Sequence, residues 1–297
     1  MLPEEEGEAV NALRAWILAC RPFALPWMLV NTLLGVCLAG FDVSKWLLAF
    51  AITALVLTSG HFFNAWWDYA RGLDRVEGGS KVKPYTAGSQ VLPRGWLSLG
   101  TVKASTFALL ALALPLLILA PARPDVYALF ALGVLCAFAY SLWLKPKGLG
   151  EVGLFLGHGL ATTCFAYALV RPLDLAGLAA GILLGFWAGV IYTIDQWQDV
   201  ETDFARRVKN LAYLMFKANF RPSMLWMFLV TGAFTLQFGF VLLKALPAGT
   251  LLTLLLLPLS HVVAILLDYR FDRGVILGLA CMFAFAALAA LGAALIR

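Results

Sequence analysis

Charge is what this 297-residue sequence has least of: Asp, Glu, Lys and Arg make up only 13% of it, about half the share of an ordinary soluble domain. So few charges cannot cover the surface of a water-soluble enzyme of this size, and that class is excluded. Histidine occurs three times, and the five cysteines (Cys20, Cys37, Cys136, Cys164, Cys281) stand singly in apolar surroundings, without a CxxC pair or a neighbouring His. Neither a zinc site nor a disulfide framework is indicated, and all five read as packing residues. The acidic opening MLPEEEGEAV lacks the basic n-region of a secretory signal. Disorder is excluded by the opposite end of the composition, since 62% of the residues are hydrophobic, 21 are Phe and 10 are Trp, and mean hydropathy is +0.86.

What the sequence does contain is apolar runs of membrane length. Nine candidate spans lie near 22–40, 46–67, 97–120, 125–144, 150–171, 174–194, 222–244, 248–267 and 274–296. Each is about 20 residues, or about 30 Å as a helix, which matches the hydrocarbon core of a bilayer. The breaks fall at Gly and Pro clusters such as Pro121–Pro124, Arg171-Pro172 and Pro247–Gly249. Dividing the 22 Lys and Arg between the two sides of this map gives 17 against five. That asymmetry places the N-terminus in the cytoplasm and the C-terminus on the opposite side. Only two connections have length, 68–96 and 195–221, and both fall on the cytoplasmic side. Long loops between tight connections tend to carry function.

Those loops begin with acids. The second span ends in Asn64-xxx-Asp68, followed by Arg71 and Asp74, and the sixth ends in Asp195-xxx-Asp199-xxx-Asp203. Spacings of four put each set on one helix face, where like charges repel. A carboxylate at a membrane helix costs up to about 2.5–3.5 kcal/mol at the bilayer centre. A divalent cation offsets that arrangement, and hard oxygen donors suit Mg²⁺, which bridges carboxylates to substrate phosphates. Helix ends also carry Asp simply because they reach water. Two motifs with equal separations, 131 residues from Asn64 to Asp195 and from Asp68 to Asp199, favour an internal duplication instead. The expected fold is an all-α integral membrane protein, one domain over 1–297, with nine transmembrane helices forming two four-helix pseudo-repeats around a central cavity plus one extra helix.

Basic residues flank both motifs: Arg71, Arg75, Lys81 and Lys83 after the first, Arg206, Arg207 and Lys209 after the second. Some anchor the helices; others are placed to neutralise a diphosphate, Lys83 foremost. His61 and His158, the latter between Gly157 and Gly159, are candidates to line the cavity, whereas His261 reads as structural. Phe62, Phe63, Trp66, Tyr140 and Trp197 are the aromatics available to face a carbocation, although most aromatics in such a chain meet lipid or pack.

Asn64-xxx-Asp68 with Asp74, Lys83-Pro84-Tyr-Thr-Ala-Gly88-Ser89, Tyr140-Ser141 ahead of Lys145-Pro146, Gly148-Leu-Gly150-Glu151 and Asp195-xxx-Asp199-xxx-Asp203 resemble the UbiA superfamily of intramembrane prenyltransferases. The resemblance covers nearly the whole chain, including an Arg21-Pro22 at the entry to the first span. It implies Mg²⁺-dependent transfer of a prenyl chain from an isoprenoid diphosphate to an aromatic or lipophilic acceptor in the bilayer, with no nucleic acid involved. It also implies Asn64, Asp68, Asp195 and Asp199 as metal holders, with Asp74 and Asp203 acting directly or through water. Asp68, Asp199, Lys83 and Tyr140 become the catalytic candidates, and Arg21, Asn64, Arg71, Lys83, Ser141, Lys145, Glu151 and Lys209 the substrate-binding ones. Three positions depart from the pattern: Ala65 follows Asn64 where an Asp is usual, Gly72 stands where the third acid is expected, and Arg206-Arg207-Val-Lys209-Asn210 replaces a Gly-Lys-Arg-Thr-like stretch. The Gly72-x-Asp74 form is nearer the dihydroxynaphthoate (menaquinone) branch than the 4-hydroxybenzoate branch. The rival readings are a terpene cyclase or a non-quinone prenyltransferase on the same fold, a CDP-alcohol phosphotransferase, and an ion-coupled transporter, whose site would lie near the bilayer midplane.

Overall fold

The computed structural model describes residues 12–72, 90–197, 200 and 209–295, and the statements below concern these. They form eleven helices: α1 (Ala12–Cys20), α2 (Leu25–Gly40), α3 (Val43–Ala70), α4 (Leu99–Leu117), α5 (Pro124–Lys147), α6 (Gly150–Val170), α7 (Leu175–Gln196), α8 (Leu211–Lys217), α9 (Pro222–Leu242), α10 (Ala248–Tyr269) and α11 (Phe271–Leu295). Eight of them, α3 to α7 and α9 to α11, are long and apolar enough to cross a membrane. The ninth expected span is the bent pair α1 and α2, which meet at 43°. The bend has a local cause. Arg21 adopts a left-handed backbone (φ 49°), and Pro22 opens the short 3₁₀ turn Pro22–Ala24 that leads into α2. Proline lacks the N–H that would continue the α1 ladder.

Helix starts follow from capping. Asp42 accepts from the backbone N–H of Ser44 and Lys45 at 2.8 and 3.1 Å at the head of α3. Asp174 does the same for Ala176 and Gly177 at 2.9 and 3.3 Å at the head of α7. These carboxylates satisfy donors that a helix leaves orphaned at its first turn. They open the same two helices that end in the acidic motifs, so the duplication read from the motif spacing is also visible at the opposite ends.

The helices close into a ring. α3 packs on α4 and α5, α6 on α7, α7 on α9, α9 on α10 and α10 on α11, while α2 lies against α3, α6 and α11. Trp27, Trp187, Trp226 and Phe285 centre the largest core, built by α2, α7, α9, α10 and α11. A second core joins α2, α3, α5 and α6 through Val36, Ile52, Leu129 and Phe165. A third lets α1 rest on α3 and α4 around Phe62 and Val102. Small residues set the closest approach: a Cβ on Gly159 of α6 would stand 1.9 Å from Cα of Gly185 in α7. Backbone contact of this kind is how membrane helices gain dispersion energy where lipid and side chain are equally apolar. On the outside, Phe107, Leu112, Ile118, Phe228, Leu255 and Ile265 are exposed, a surface that fits hydrocarbon rather than water. Cys37, Cys136, Cys164 and Cys281 are buried, Cys20 is half-buried and none is bonded, as packing residues should be.

Candidate active site

The last two turns of α3 carry Asn64 and Asp68, both buried despite their polarity. Asn64 Nδ2 donates to Asp68 Oδ2 at 3.0 Å and to Ser141 Oγ at 3.0 Å. Lys145 Nζ donates to the same Asp68 oxygen at 2.7 Å, forming an ion pair whose lysine side chain is 42% exposed and whose aspartate is 10% exposed. A carboxylate so enclosed is tolerable only because a cation and an amide both satisfy it. Ser141 and Lys145 are brought to α3 by the end of α5, which loosens into a π-helical segment, Tyr140–Leu144, followed by the 3₁₀ turn Lys145–Lys147. The wider turn re-aims side chains that a regular helix would carry past α3.

Tyr140 opens that segment. Its hydroxyl donates to the hydroxyl of Tyr192 on α7 at 3.2 Å, and the rings meet edge to face at 6.2 Å. Tyr192 is admitted by a glycine: a Cβ on Gly150 would lie 2.3 Å from its hydroxyl oxygen. Three residues further along α7 stands Asp195, half-buried, and Asp195 and Glu151 are both near enough to act electrostatically on the Tyr192 hydroxyl. Glu151 Oε1 accepts from the backbone N–H of Leu211 at 3.0 Å, which ties the start of α8 to the start of α6. Gly148 turns with φ +73°, and a Cβ there would come within 2.5 Å of the Lys209 carbonyl, so the 209–211 strand of chain lies directly on the α5–α6 turn. Arg21, at the α1–α2 bend, is within electrostatic reach of Tyr140, Lys145 and His61.

The ends of α3, α5 and α7, the start of α6 and the α1–α2 bend thus bring together Asn64, Asp68, Tyr140, Ser141, Lys145, Glu151, Asp195 and Arg21. Arg71 is not drawn in: it is exposed and its guanidinium lies over the Trp67 ring at 5.8 Å. Lys209 contributes its backbone to the Gly148 contact, with its side chain exposed. Asp74, Lys83, Asp199 and Asp203 lie outside the described residues. Among the aromatic candidates, Phe62 packs on Trp16 and Trp197 on Phe216, whereas Phe63 stacks with Trp66, Trp67 and Phe138. The residue that sequence reasoning passed over is Tyr192; its place three residues before Asp195, on the same helix face, was the available signal.

Among the described residues no three His, Cys, Asp or Glu side chains stand together as a metal cage. The donors present are an amide oxygen and carboxylates on two facing helix ends, a set without nitrogen or sulfur ligands that fits a hard cation keeping part of its water shell. A ring of membrane helices with two acid-bearing ends facing a lysine and a tyrosine pair defines, as a class, an intramembrane enzyme. The chain belongs to the UbiA prenyltransferase family, whose profile matches residues 28–283. A Drosophila melanogaster relative, the UbiA prenyltransferase domain-containing protein 1 homolog, is 27% identical over 221 residues. That match covers 68% of this chain and 58% of the relative, so the chain spans less than two thirds of that protein's length. Solved structures agree in fold. A digeranylgeranylglyceryl phosphate synthase superposes with a TM-score of 0.65 at 18% identity, covering 96% of this chain and 99% of that one. A UbiA homolog from Aeropyrum pernix K1 gives 0.66 at 18% identity, covering 90% and 96%. A UbiA homolog from Archaeoglobus fulgidus bound to DMAPP and Mg²⁺ gives 0.63 at 17% identity, covering 92% and 99%.

Proposed function

We propose that this protein transfers a prenyl chain from an isoprenoid diphosphate to an aromatic acceptor within the membrane, with Mg²⁺ as its metal. The observation that carries the reading is the buried Asp68 carboxylate, held by Lys145 at 2.7 Å and Asn64 at 3.0 Å, beside the Asp195 helix end. Asn64, Asp68 and Asp195 are the described residues that would hold the metal, joined by Asp74, Asp199 and Asp203. Bound there, Mg²⁺ supplies Lewis-acid neutralisation of the leaving diphosphate. Lys145 and Arg21, with Lys83, provide fixed positive charge for the remaining phosphate oxygens, which favours the transition state in which that charge grows.

The C–O bond then breaks with its electron pair leaving on the diphosphate, and the prenyl fragment becomes an allylic cation. The Tyr140 and Tyr192 rings offer electron-rich faces to that cation, and the enclosed site keeps water away from it. An electron-rich carbon of the acceptor supplies the pair for the new C–C bond, and the proton it sheds passes to a carboxylate or to the released diphosphate. The Gly72-x-Asp74 form supports a dihydroxynaphthoate-type acceptor, hence a place in quinone synthesis. The distribution of basic residues supports a cytoplasmic N-terminus and a cytoplasm-facing site.

The test uses purified protein in detergent with Mg²⁺ and dimethylallyl, geranyl or geranylgeranyl diphosphate, alone or with 1,4-dihydroxy-2-naphthoate or 4-hydroxybenzoate. Mg²⁺-dependent diphosphate release with a prenylated product is expected. Release that persists in EDTA contradicts the metal role. A cyclised hydrocarbon formed without any acceptor makes the protein a terpene cyclase instead.

A further inference from the structure

Three polar side chains on three helices are left unused by the diphosphate chemistry: His61 on α3, His158 on α6 and Asn31 on α2. His61 precedes Asn64 by three residues, which puts it on the same side of α3, about 4.5 Å nearer the middle of the helix. His158 sits in a second π-helical stretch, Phe155–Ala161. Such stretches are rare and recur at functional sites, because they widen the helix and free backbone groups. Here the freed groups are taken up by Asn31 Nδ2, which donates to the His158 carbonyl at 2.7 Å, and by Thr162 Oγ1, which donates to the Gly157 carbonyl at 2.9 Å.

The bond from Asn31 fixes which end of its amide is which. The other end, Oδ1, is buried without a hydrogen-bond partner among the described residues, and so is Nε2 of His61. The two imidazoles lie deep among protein atoms and within electrostatic reach of each other, yet each keeps part of its surface accessible. That combination marks side chains lining an internal cavity. Buried polar atoms are normally paired, and two orphans beside one cavity call for a ligand group that pairs with both.

We propose that His61, His158 and Asn31 form the subsite for a hydroxyl group of the acceptor. The chemistry of the orphans selects that group. Asn31 Oδ1 only accepts, so its partner must be a donor, which rules out a carboxylate or an ether. A hydroxyl donates to Asn31 Oδ1 and accepts from an imidazole N–H at once, whereas a carboxylate is better matched by Arg21 and Lys145 nearer the helix ends. A phenol or naphthol anchored this way turns its activated ring carbons toward Asn64 and Asp68, where the allylic cation forms. This inference rests on the prenyl-transfer reading above.

The experiment measures KM for acceptor and for prenyl diphosphate separately, with 1,4-dihydroxy-2-naphthoate and 4-hydroxybenzoate as probes beside their O-methyl ethers. His61→Leu should raise the acceptor KM about tenfold, the worth of one hydrogen bond to a neutral group, and shrink the preference for hydroxyl over ether by a similar factor. The KM for prenyl diphosphate should move by less than about twofold, and His61→Gln, which keeps a donor and an acceptor, should restore most of the loss. A parallel rise in both KM values, or an undiminished hydroxyl preference in His61→Leu, overturns the proposal. So does failure to prenylate either hydroxylated probe while Mg²⁺-dependent diphosphate release continues, an outcome that leaves the ionisation reading standing. A wild-type protein that releases no diphosphate removes both.

Discussion

Asp68 is the residue on which binding and stability meet. Its charge serves the metal, but the enclosure that makes it useful is stable only while Lys145 stays against it. Asp68→Asn should lower kcat by about 10²–10³-fold, the usual loss when one preorganised charge is taken from a transition-state clamp, in the diphosphate-release assay. Lys145→Met should destabilise the protein by about 1–3 kcal/mol, less than for a fully buried pair because the lysine is partly in solvent. Thermal unfolding in detergent checks this, and the double variant Asp68→Asn, Lys145→Met should be more stable than Lys145→Met alone, because no uncompensated charge remains. Asn64, Asp68, Ser141 and Lys145 were legible in the sequence because they fall in short motifs of fixed spacing. Tyr192 was not, since its partnership with Tyr140 depends on Gly150 having no Cβ, a fact about three helices at once.

Among the helices, the apolar runs marked every span within a few residues, since length and hydropathy are set by the bilayer and not by neighbours. What the runs hid are the irregularities: the α1–α2 bend, the two π-helical stretches and the seven-residue α8. Five to seven residues are too few for hydrophobic periodicity to separate a π turn from an α turn, and in spans that are apolar nearly all round there is little periodicity to read. Two variants probe the regular parts. Gly159→Val must push α6 off α7, where Cα of Gly185 already occupies the place of the new side chain. A cost of about 1–3 kcal/mol in thermal unfolding is expected, with loss of activity, as the π-helical stretch is displaced. Asp174→Ala removes only the cap of α7, so about 1 kcal/mol is expected, with activity retained at permissive temperature. Equal effects from the two would mean that the α6–α7 contact carries no special weight.

For the whole molecule, orientation is the property with the most direct measurement. In a cysteine-free background, Lys147→Cys should react with an impermeant maleimide from the cytoplasmic side and Lys45→Cys from the opposite side; labelling of both from one side would reverse or refute the topology. The duplication was legible at this scale through the 131-residue offset, and the aspartate caps of α3 and α7 repeat it from the other ends of the same helices. The closing of the ring was not legible, because no local signal says that α2 packs on α11. Yet that contact sets the timetable on which the protein is made. Trp27 of α2 rests on Phe283 of α11, with ring centroids 6.2 Å apart, and about 230 residues separate the end of one helix from the start of the other. At about 5–20 residues per second a ribosome needs tens of seconds to bridge that gap. Throughout it, the face of α2 that carries Trp27 must be sheltered by lipid or by the insertion machinery. The cavity acquires its final wall only when the last helix is released.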